Sequence, residues 1–178
     1  MKNISLHWTK LLVIASALVA ISAIPSLNQN SINDEAQIEQ LSEDWIQAWS
    51  PQEDAENFNF MEHFSDFYAE GNDLILFDNA DPQARIASSA EEYGNIWDGL
   101  LPNLSYVDNR ITSEPKVYLD GDIAVSTMVW ETTFTSSDGK EQKVPTLGTL
   151  VWQRTPQGWR IVHEHGTALS DESGGAGS

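Results

Sequence analysis

The sequence predicts an α+β fold in which a curved antiparallel β-sheet packs against three helices. Apolar residues recur at helical spacing in the first half of the chain and alternate with polar residues after residue 103. Turn sequences separate the alternating segments, and Asp138-Gly139 between two of them is typical of a β-hairpin. Helices followed by an antiparallel meander favour a sheet that curls around the helices.

The helical half contains three amphipathic segments. They cover about residues 34–49, 53–70 and 88–101. In the first segment, Ile38, Leu41 and Trp45 lie at spacings of three and four and share one face. In the third, Ser88 or Ser89 is the predicted N-cap, and an acidic residue three positions later completes a capping box.

Six segments have the pattern of β-strands. They cover about residues 74–77, 104–115, 116–119, 123–136, 143–154 and 159–167. The first is a short apolar segment between polar residues, and the other five follow one another through short turns. We therefore expect the last five strands to form an antiparallel meander.

The first residues have the layout of a secretory signal peptide. Lys2 and Lys10 precede the apolar segment Leu11–Ala20, and small residues follow it. The apolar segment is shorter than the ~20 residues that a membrane span needs. We expect cleavage near Ala23 and export to the periplasm or the medium, with no membrane association afterwards; an uncleaved anchor is the alternative.

The predicted organisation has four parts. These are a signal peptide (1–23), a flexible lead-in (24–33), one folded domain (34–170) and a disordered tail (171–178).

The composition excludes several classes of function. The 178 residues carry a formal net charge of −18. A field of this sign repels nucleic acid and anionic lipid, so we expect no nucleic-acid partner. The chain contains no cysteine, which excludes disulfides and thiolate metal sites. It also has no phosphate-binding glycine loop and no nucleophile elbow.

The last predicted strand carries the most specific motif. The segment 158–167, GWRIVHEHGT, resembles the closing strand of SnoaL-like proteins in the nuclear transport factor 2-like and ketosteroid isomerase-like superfamily. Residues 75–78, 91–101 and 121–125 also resemble that family, and the resemblance covers about residues 34–169. Two features depart from the pattern: a longer, aromatic segment after Trp49, and Gly166, where a bulky residue often lies.

This resemblance implies a cone-shaped domain whose narrow interior holds a ligand. It also implies a homodimer that pairs through the outer face of the sheet. Functions in the resembled superfamily range from isomerases, dehydratases, cyclases and hydrolases to non-catalytic binders and oligomerisation modules, so the fold alone does not select one.

Strict alternation places Ile161, His163 and His165 on one face of the last strand and Glu164 on the other. Two histidines separated by one residue can chelate a metal ion. In the resembled family such a pair is more often structural or lies at the subunit contact, and a direct catalytic role is a further alternative. We predict structural or interface roles for both histidines and for Trp159, and no metal site.

Two acids are the catalytic candidates. If the histidines face outward, Glu164 points into the cone, where loss of hydration would raise its pKa and make it a usable acid or base. The alternative is that Glu164 pairs with Arg154, Arg160 or another buried polar group. Asp78 ends the first strand before a loop, a place similar to that of the proton-carrying aspartate of ketosteroid isomerases. Asp78 also begins a turn-forming segment, so a structural turn is its alternative role.

The sequence contains seven tryptophans, and aromatic walls suit a flat apolar ligand. The predicted ligand contacts are Trp45, Trp49, Trp97, Trp130 and Thr149. Ordinary core packing is the alternative for each tryptophan, and β-propensity for the threonine.

The sequence therefore predicts an exported pocket protein for a small apolar organic molecule. If it is an enzyme, we expect cofactor-free acid–base chemistry carried by Asp78 and Glu164. The alternative is a non-catalytic ligand-binding or dimerisation module.

Overall fold

The computed structural model describes residues 29–49, 58–101, 104–136 and 138–169. The predicted signal peptide and tail lie outside these residues. The elements in chain order are α1 (Gln29–Ala48), α2 (Phe60–Phe64), β1 (Ile75–Asp78), α3 (Ala90–Leu100), β2 (Leu104–Asp120), β3 (Ile123–Ser136), β4 (Glu141–Thr155) and β5 (Gly158–Ala168). None of the helices in the described residues has the length and apolarity to cross a membrane.

The predicted α+β class is confirmed. The strands form one sheet in the order β1-β5-β4-β3-β2, and β2 to β5 are the expected antiparallel meander. β1 pairs with β5 in parallel, so the sheet is mixed and not wholly antiparallel. This pairing places the end of β1 beside the second half of β5, which brings Asp78 and Glu164 into the same region.

Two segments that were predicted as separate strands form a single strand in the structure. Residues 104–115 and 116–119 belong to the continuous strand β2, which has register shifts on both sides of Ser113. β2 lies at the edge of the sheet. An edge strand tolerates Pro115 and its missing N–H, and the irregular register bends the strand without ending it.

The helix boundaries also differ from the prediction. α1 begins at Gln29, within the predicted lead-in, and an ion pair between Asp34 and Arg154 of β4 ties its first part to the sheet. Within the described residues, α2 covers only Phe60–Phe64 of the long helix expected there. The chain leaves the helix because residues 67–69 bond to β5: Ala69 N–H donates to the Ile161 carbonyl at 3.0 Å.

A β-bulge at Val162 changes the direction of the side chains along β5. Val151 is opposite His163, but Trp152 is opposite Ile161, so Val162 is an extra residue in β5. Ile161 and Glu164 are both buried as a result, at 0% and 2% exposure. The prediction that Ile161 shares a face with the two histidines is therefore wrong, since strict alternation does not allow for the bulge.

α1 is fixed to the sheet by a buried polar contact within an apolar core. The hydroxyls of Ser42 and Ser126 are hydrogen-bonded at 2.8 Å, and Ser126 Oγ also accepts the indole N–H of Trp152 at 2.9 Å. All three residues have 0% exposure. Each polar group therefore depends on the others, because water cannot replace a lost partner.

We expect Ser126→Ala to lower the free energy of unfolding by about 1–3 kcal/mol, because it leaves the buried Trp152 N–H without its partner, whereas the Ser42 hydroxyl keeps its hydrogen bond to the Ile38 carbonyl. Urea denaturation followed by circular dichroism measures this change. Ser113→Ala, at an exposed position of β2, is the control and should stay within about 0.5 kcal/mol of the parent protein. Equal losses for the two variants would contradict the prediction.

Candidate functional site

A cavity lies between the helices and the inner face of the sheet. It encloses about 570 Å³, open mouth included. Its exposed wall residues, Asn79, Ala80 and Ala168, mark the open end, whereas Glu164 lies deep inside at 2% exposure. Most of the remaining wall is apolar.

Four of the predicted ligand contacts lie in the cavity wall. These are Trp45, Trp49, Trp97 and Trp130. Their rings contact one another in sequence, with Trp45 edge-to-face on both Trp130 (5.9 Å between centroids) and Trp49 (6.3 Å). They form one continuous aromatic wall, which we call the tryptophan wall.

Thr149 does not line the cavity, and this part of the prediction is wrong. Thr149 is opposite the exposed His165, whereas its neighbour Leu150 is buried, so Thr149 points to the outer face of the sheet. The threonines in the cavity wall are Thr132 and Thr146.

At the deep end, two tyrosines bind the carboxyl group of Glu164. The Tyr93 hydroxyl donates to Oε1 at 2.6 Å, and the Tyr68 hydroxyl donates to Oε2. Tyr68 in turn accepts the indole N–H of Trp45 at 3.1 Å. The predicted alternative, in which Glu164 pairs with an arginine or another buried polar group, is therefore found in its second form: the partners are the two buried tyrosine hydroxyls.

Three separate elements supply this cluster. The bulge at Val162 turns Glu164 inward, and the bridge between Tyr68 and Ile161 holds Tyr68 against β5. Tyr93 lies on the inner face of α3, whose N-cap Ser89 accepts the Glu92 N–H as the sequence predicted. The cluster therefore forms only when the helices and the sheet have packed together.

Burial raises the pKa of Glu164 to about 8, and the nearby charge of Asp78 acts in the same direction, against the two tyrosine hydrogen bonds. Burial, together with Glu164, also raises the pKa values of Tyr68 and Tyr93 well above their usual range. Glu164 is then a neutral acid at pH 7.

Asp78 lines the same cavity at the end of β1. Its Oδ1 accepts the Ala80 N–H at 2.7 Å, so it also makes the turn contact that was its alternative role. Burial raises the pKa of Asp78, against the Ala80 hydrogen bond and the charge of His165. The cavity thus contains two carboxyl groups that both hold their protons more tightly than in water.

Two glycines make room for the side chains of the site. Gly166 and Gly148 are opposite each other on β5 and β4. A Cβ on Gly166 would lie 2.2 Å from Asp78 Oδ2, and a Cβ on Gly148 would lie 2.2 Å from the ring of Trp130. The lack of side chains at this pair therefore allows Asp78 and Trp130 to lie flat against the sheet.

A short hydrogen-bonded chain forms the polar part of the wall. The Trp130 indole N–H donates to Thr132 Oγ1 at 3.1 Å, and the Thr132 hydroxyl donates to Asn109 Oδ1 at 2.6 Å. All three residues line the cavity. These hydrogen bonds fix the orientation of Trp130, and they occupy the hydrogen-bond donors of Trp130 and Thr132.

The remaining predicted residues lie away from the cavity. His165 is exposed on the outer face, where it contacts Phe77 and Thr167, and His163 is partly buried. Trp159 is a core residue at 1% exposure, with the guanidinium of Arg154 4.3 Å from its ring centroid. No three potential ligand side chains converge on a metal-sized site in the described part of the chain.

Sequence reasoning missed the two tyrosines as partners of Glu164. Both lie in apolar helical patterns, where they resemble ordinary core residues. The available signal was that a buried tyrosine hydroxyl needs a hydrogen-bond partner. Sequence reasoning also missed the role of Asp81. Arg85 binds both carboxylate oxygens of Asp81 through Nε and Nη2 and holds the pKa of Asp81 well below its usual range, which fixes the loop after Asp78.

Comparisons with known proteins agree with this fold. A family model described as SnoaL-like domain matches residues 38–170. A nuclear transport factor 2-like superfamily protein from Salmonella enterica superposes with a TM-score of 0.65 at 17% identity, covering 83% of this chain and 99% of that one. No curated protein sequence matches the chain.

Two further solved structures show how widely this fold is used. A candidate dehydratase of the NTF2-like family from Streptomyces avermitilis has a TM-score of 0.61 and 19% identity, covering 79% of this chain and 99% of that one. The association domain of C. elegans CaMKII has a TM-score of 0.55 and 19% identity, covering 76% and 98%. At these identities the similarity concerns the fold alone.

The raised pKa of Glu164 predicts a pH dependence of stability. Between its usual pKa of 4.5 and its folded pKa of about 8, the folded chain holds a proton that the unfolded chain releases. The contribution of Glu164 to the free energy of unfolding is therefore fully present below pH 4.5 and is lost as the pH rises to about 8. The expected slope from this group is at most about 1.4 kcal/mol per pH unit.

Urea denaturation from pH 5 to pH 9 measures this slope. Glu164→Gln should remove this component and flatten the curve, because the amide does not titrate. Glu114→Gln, at an exposed position of β2, should keep the parent slope. Parallel curves for the parent protein and Glu164→Gln would show that Glu164 does not titrate in this range.

Proposed function

Since the chain belongs to the SnoaL-like domain family, we propose that it is an exported pocket protein that performs cofactor-free acid–base chemistry on a small organic molecule. The observation that carries this proposal is the pair of carboxyl groups in one aromatic cavity, both with raised pKa values. A raised pKa brings a carboxyl group closer to the range in which it can both accept and return a proton during a reaction.

The two acids have different surroundings and therefore different roles. Asp78 lies near the open end and has one oxygen, Oδ2, without a hydrogen-bond donor among the described residues, so it is the proposed base. Glu164 is deep, neutral and bound to two tyrosines, so it is the proposed donor to an oxygen that gains negative charge.

Reactions of this type include isomerisation, dehydration, cyclisation and hydrolysis. Each requires removal of a proton at one position of the substrate and stabilisation or protonation at another. The tryptophan wall supports an apolar substrate body between the two acids. Export is part of the proposal because of the basic and apolar N-terminal residues.

The outer face of the sheet supports a second candidate function, a homodimer or assembly module. A row of residues crosses this face from edge to edge: Ile75, His163, Val151, Val125 and Tyr118. Ile75 and Tyr118 are 54% and 68% exposed. A mostly apolar row that spans the outer face suits pairing with another copy, and one similar structure is named an association domain.

Exchange of carbon-bound hydrogen tests the acid–base proposal without knowledge of the natural substrate. In D₂O, the protein should catalyse deuterium uptake at the carbons next to the carbonyl of cyclohexanone or acetophenone, measured by mass spectrometry. Asp78→Asn should lower the rate about 10²–10⁴-fold, because it removes the base. Glu164→Gln should also lower it, but less, because its amide still donates a hydrogen bond.

Glu114→Gln is the control and should retain the parent rate. An unchanged rate in Asp78→Asn would reject Asp78 as the base. If these ketones quench the tryptophan fluorescence by binding but exchange no faster than in buffer, the non-catalytic binder is the correct function.

Size-exclusion chromatography with light scattering tests the dimer. We expect the mature protein to have the mass of a dimer at ~100 μM, a concentration at which a standard-sized interface is saturated. Val125→Glu places a charge in the middle of the apolar row and should give a monomer, whereas Val125→Thr keeps the shape and should remain a dimer. A monomeric parent protein at this concentration would exclude the dimer.

A further inference from the structure

We propose that the ligand of the cavity is a small organic cation with an alkylated ammonium centre. This inference rests on the proposed pocket function and names its substrate class. Within the described residues, Asp78 and Glu164 are the only acidic or basic side chains in the cavity wall; no lysine, arginine or histidine lines it. An anionic ligand would find no opposite charge there, whereas a cation would find two carboxyl groups.

The hydrogen-bonding groups of the wall point to the same class. The indole N–H groups of Trp45 and Trp130 are already bound, to Tyr68 and Thr132. The hydroxyls of Tyr68 and Tyr93 are directed at Glu164. Among the described residues, the Trp97 indole N–H is a donor of the wall without a partner, and Oδ2 of Asp78 is left as an acceptor.

The tryptophan wall offers aromatic rings where an ammonium group binds well. Trp45 is edge-to-face with Trp49 and with Trp130, at interplanar angles of 81° and 80°. Trp49 and Trp97 lie 5.1 Å apart at 64°. All four rings line the cavity, and tryptophan faces bind alkylated ammonium ions more strongly than other aromatic faces do.

The charge of the whole protein adds a long-range contribution. The net charge of −18 raises the local concentration of cations and lowers that of anions. The effect guides a cation towards the molecule, while the cavity provides the specific contacts.

A bound cation also changes the protonation of the site. Its charge favours ionised Glu164 and so lowers the raised pKa of that group. Binding should therefore release a proton and tighten as the pH rises. His165, a neighbour of Asp78, lies on the outer face of the sheet, where it contacts Phe77 and Thr167.

The test compares choline with 3,3-dimethylbutan-1-ol, in which a neutral tert-butyl group replaces the trimethylammonium group with nearly the same shape. Isothermal titration calorimetry at pH 8 should show choline binding at least about tenfold more tightly. The choline-to-alcohol affinity ratio should grow from pH 6 to pH 9 in the unmodified protein. Asp78→Asn should lower choline affinity about tenfold and leave the alcohol unchanged.

Glu131→Gln, which alters an outer carboxylate bound by Lys143 and Arg110, is the control and should retain the parent ratio. Equal affinities, tighter binding of the alcohol, or binding of neither compound would overturn the cation inference. None of these results touches the deuterium-exchange experiment, which tests the acid–base proposal separately. If Asp78→Asn fails to fold, the pH dependence of the ratio in the unmodified protein decides the question.

Discussion

The hydrogen bonds of Tyr68 and Tyr93 to Glu164 connect the layers of this molecule. Glu164 lies on β5, Tyr93 on α3, and Tyr68 on the segment after α2 that is bonded to β5. Burying a carboxyl group without partners is costly, so this residue requires both hydroxyls in place. The position of the helices over the sheet, and with it the shape of the cavity, depends on this contact.

Much of the fold could be predicted from local patterns. Hydrophobic spacing predicted the helices around Trp45 and Trp97, and turn sequences predicted the meander. The bulge at Val162 and the parallel pairing of β1 could not be predicted, because both depend on contacts between residues far apart in the sequence. For the same reason, Asp78 and Glu164 could be named individually, whereas the partners of Glu164 could not.

The two faces of the sheet can carry separate functions. Inward residues form the cavity and its acids, and outward residues form the apolar row with Val125 and Val151. Substitutions of residues on one face of the sheet need not disturb the other face, because neighbouring side chains on a strand point in opposite directions. This separation gives a physical reason why structures similar to this one include both a candidate dehydratase and an association domain.

Part of the cavity has its present shape because the glycines at 148 and 166 carry only a hydrogen atom in place of a side chain. At Gly166, any larger residue and the present position of the Asp78 carboxyl exclude each other, because their atoms would overlap. The two positions must therefore change together during divergence: a lineage that gains a side chain at 166 has to move or lose its inward acid. The residue at 166 thus indicates, from sequence alone, whether a relative can hold an acid in this place.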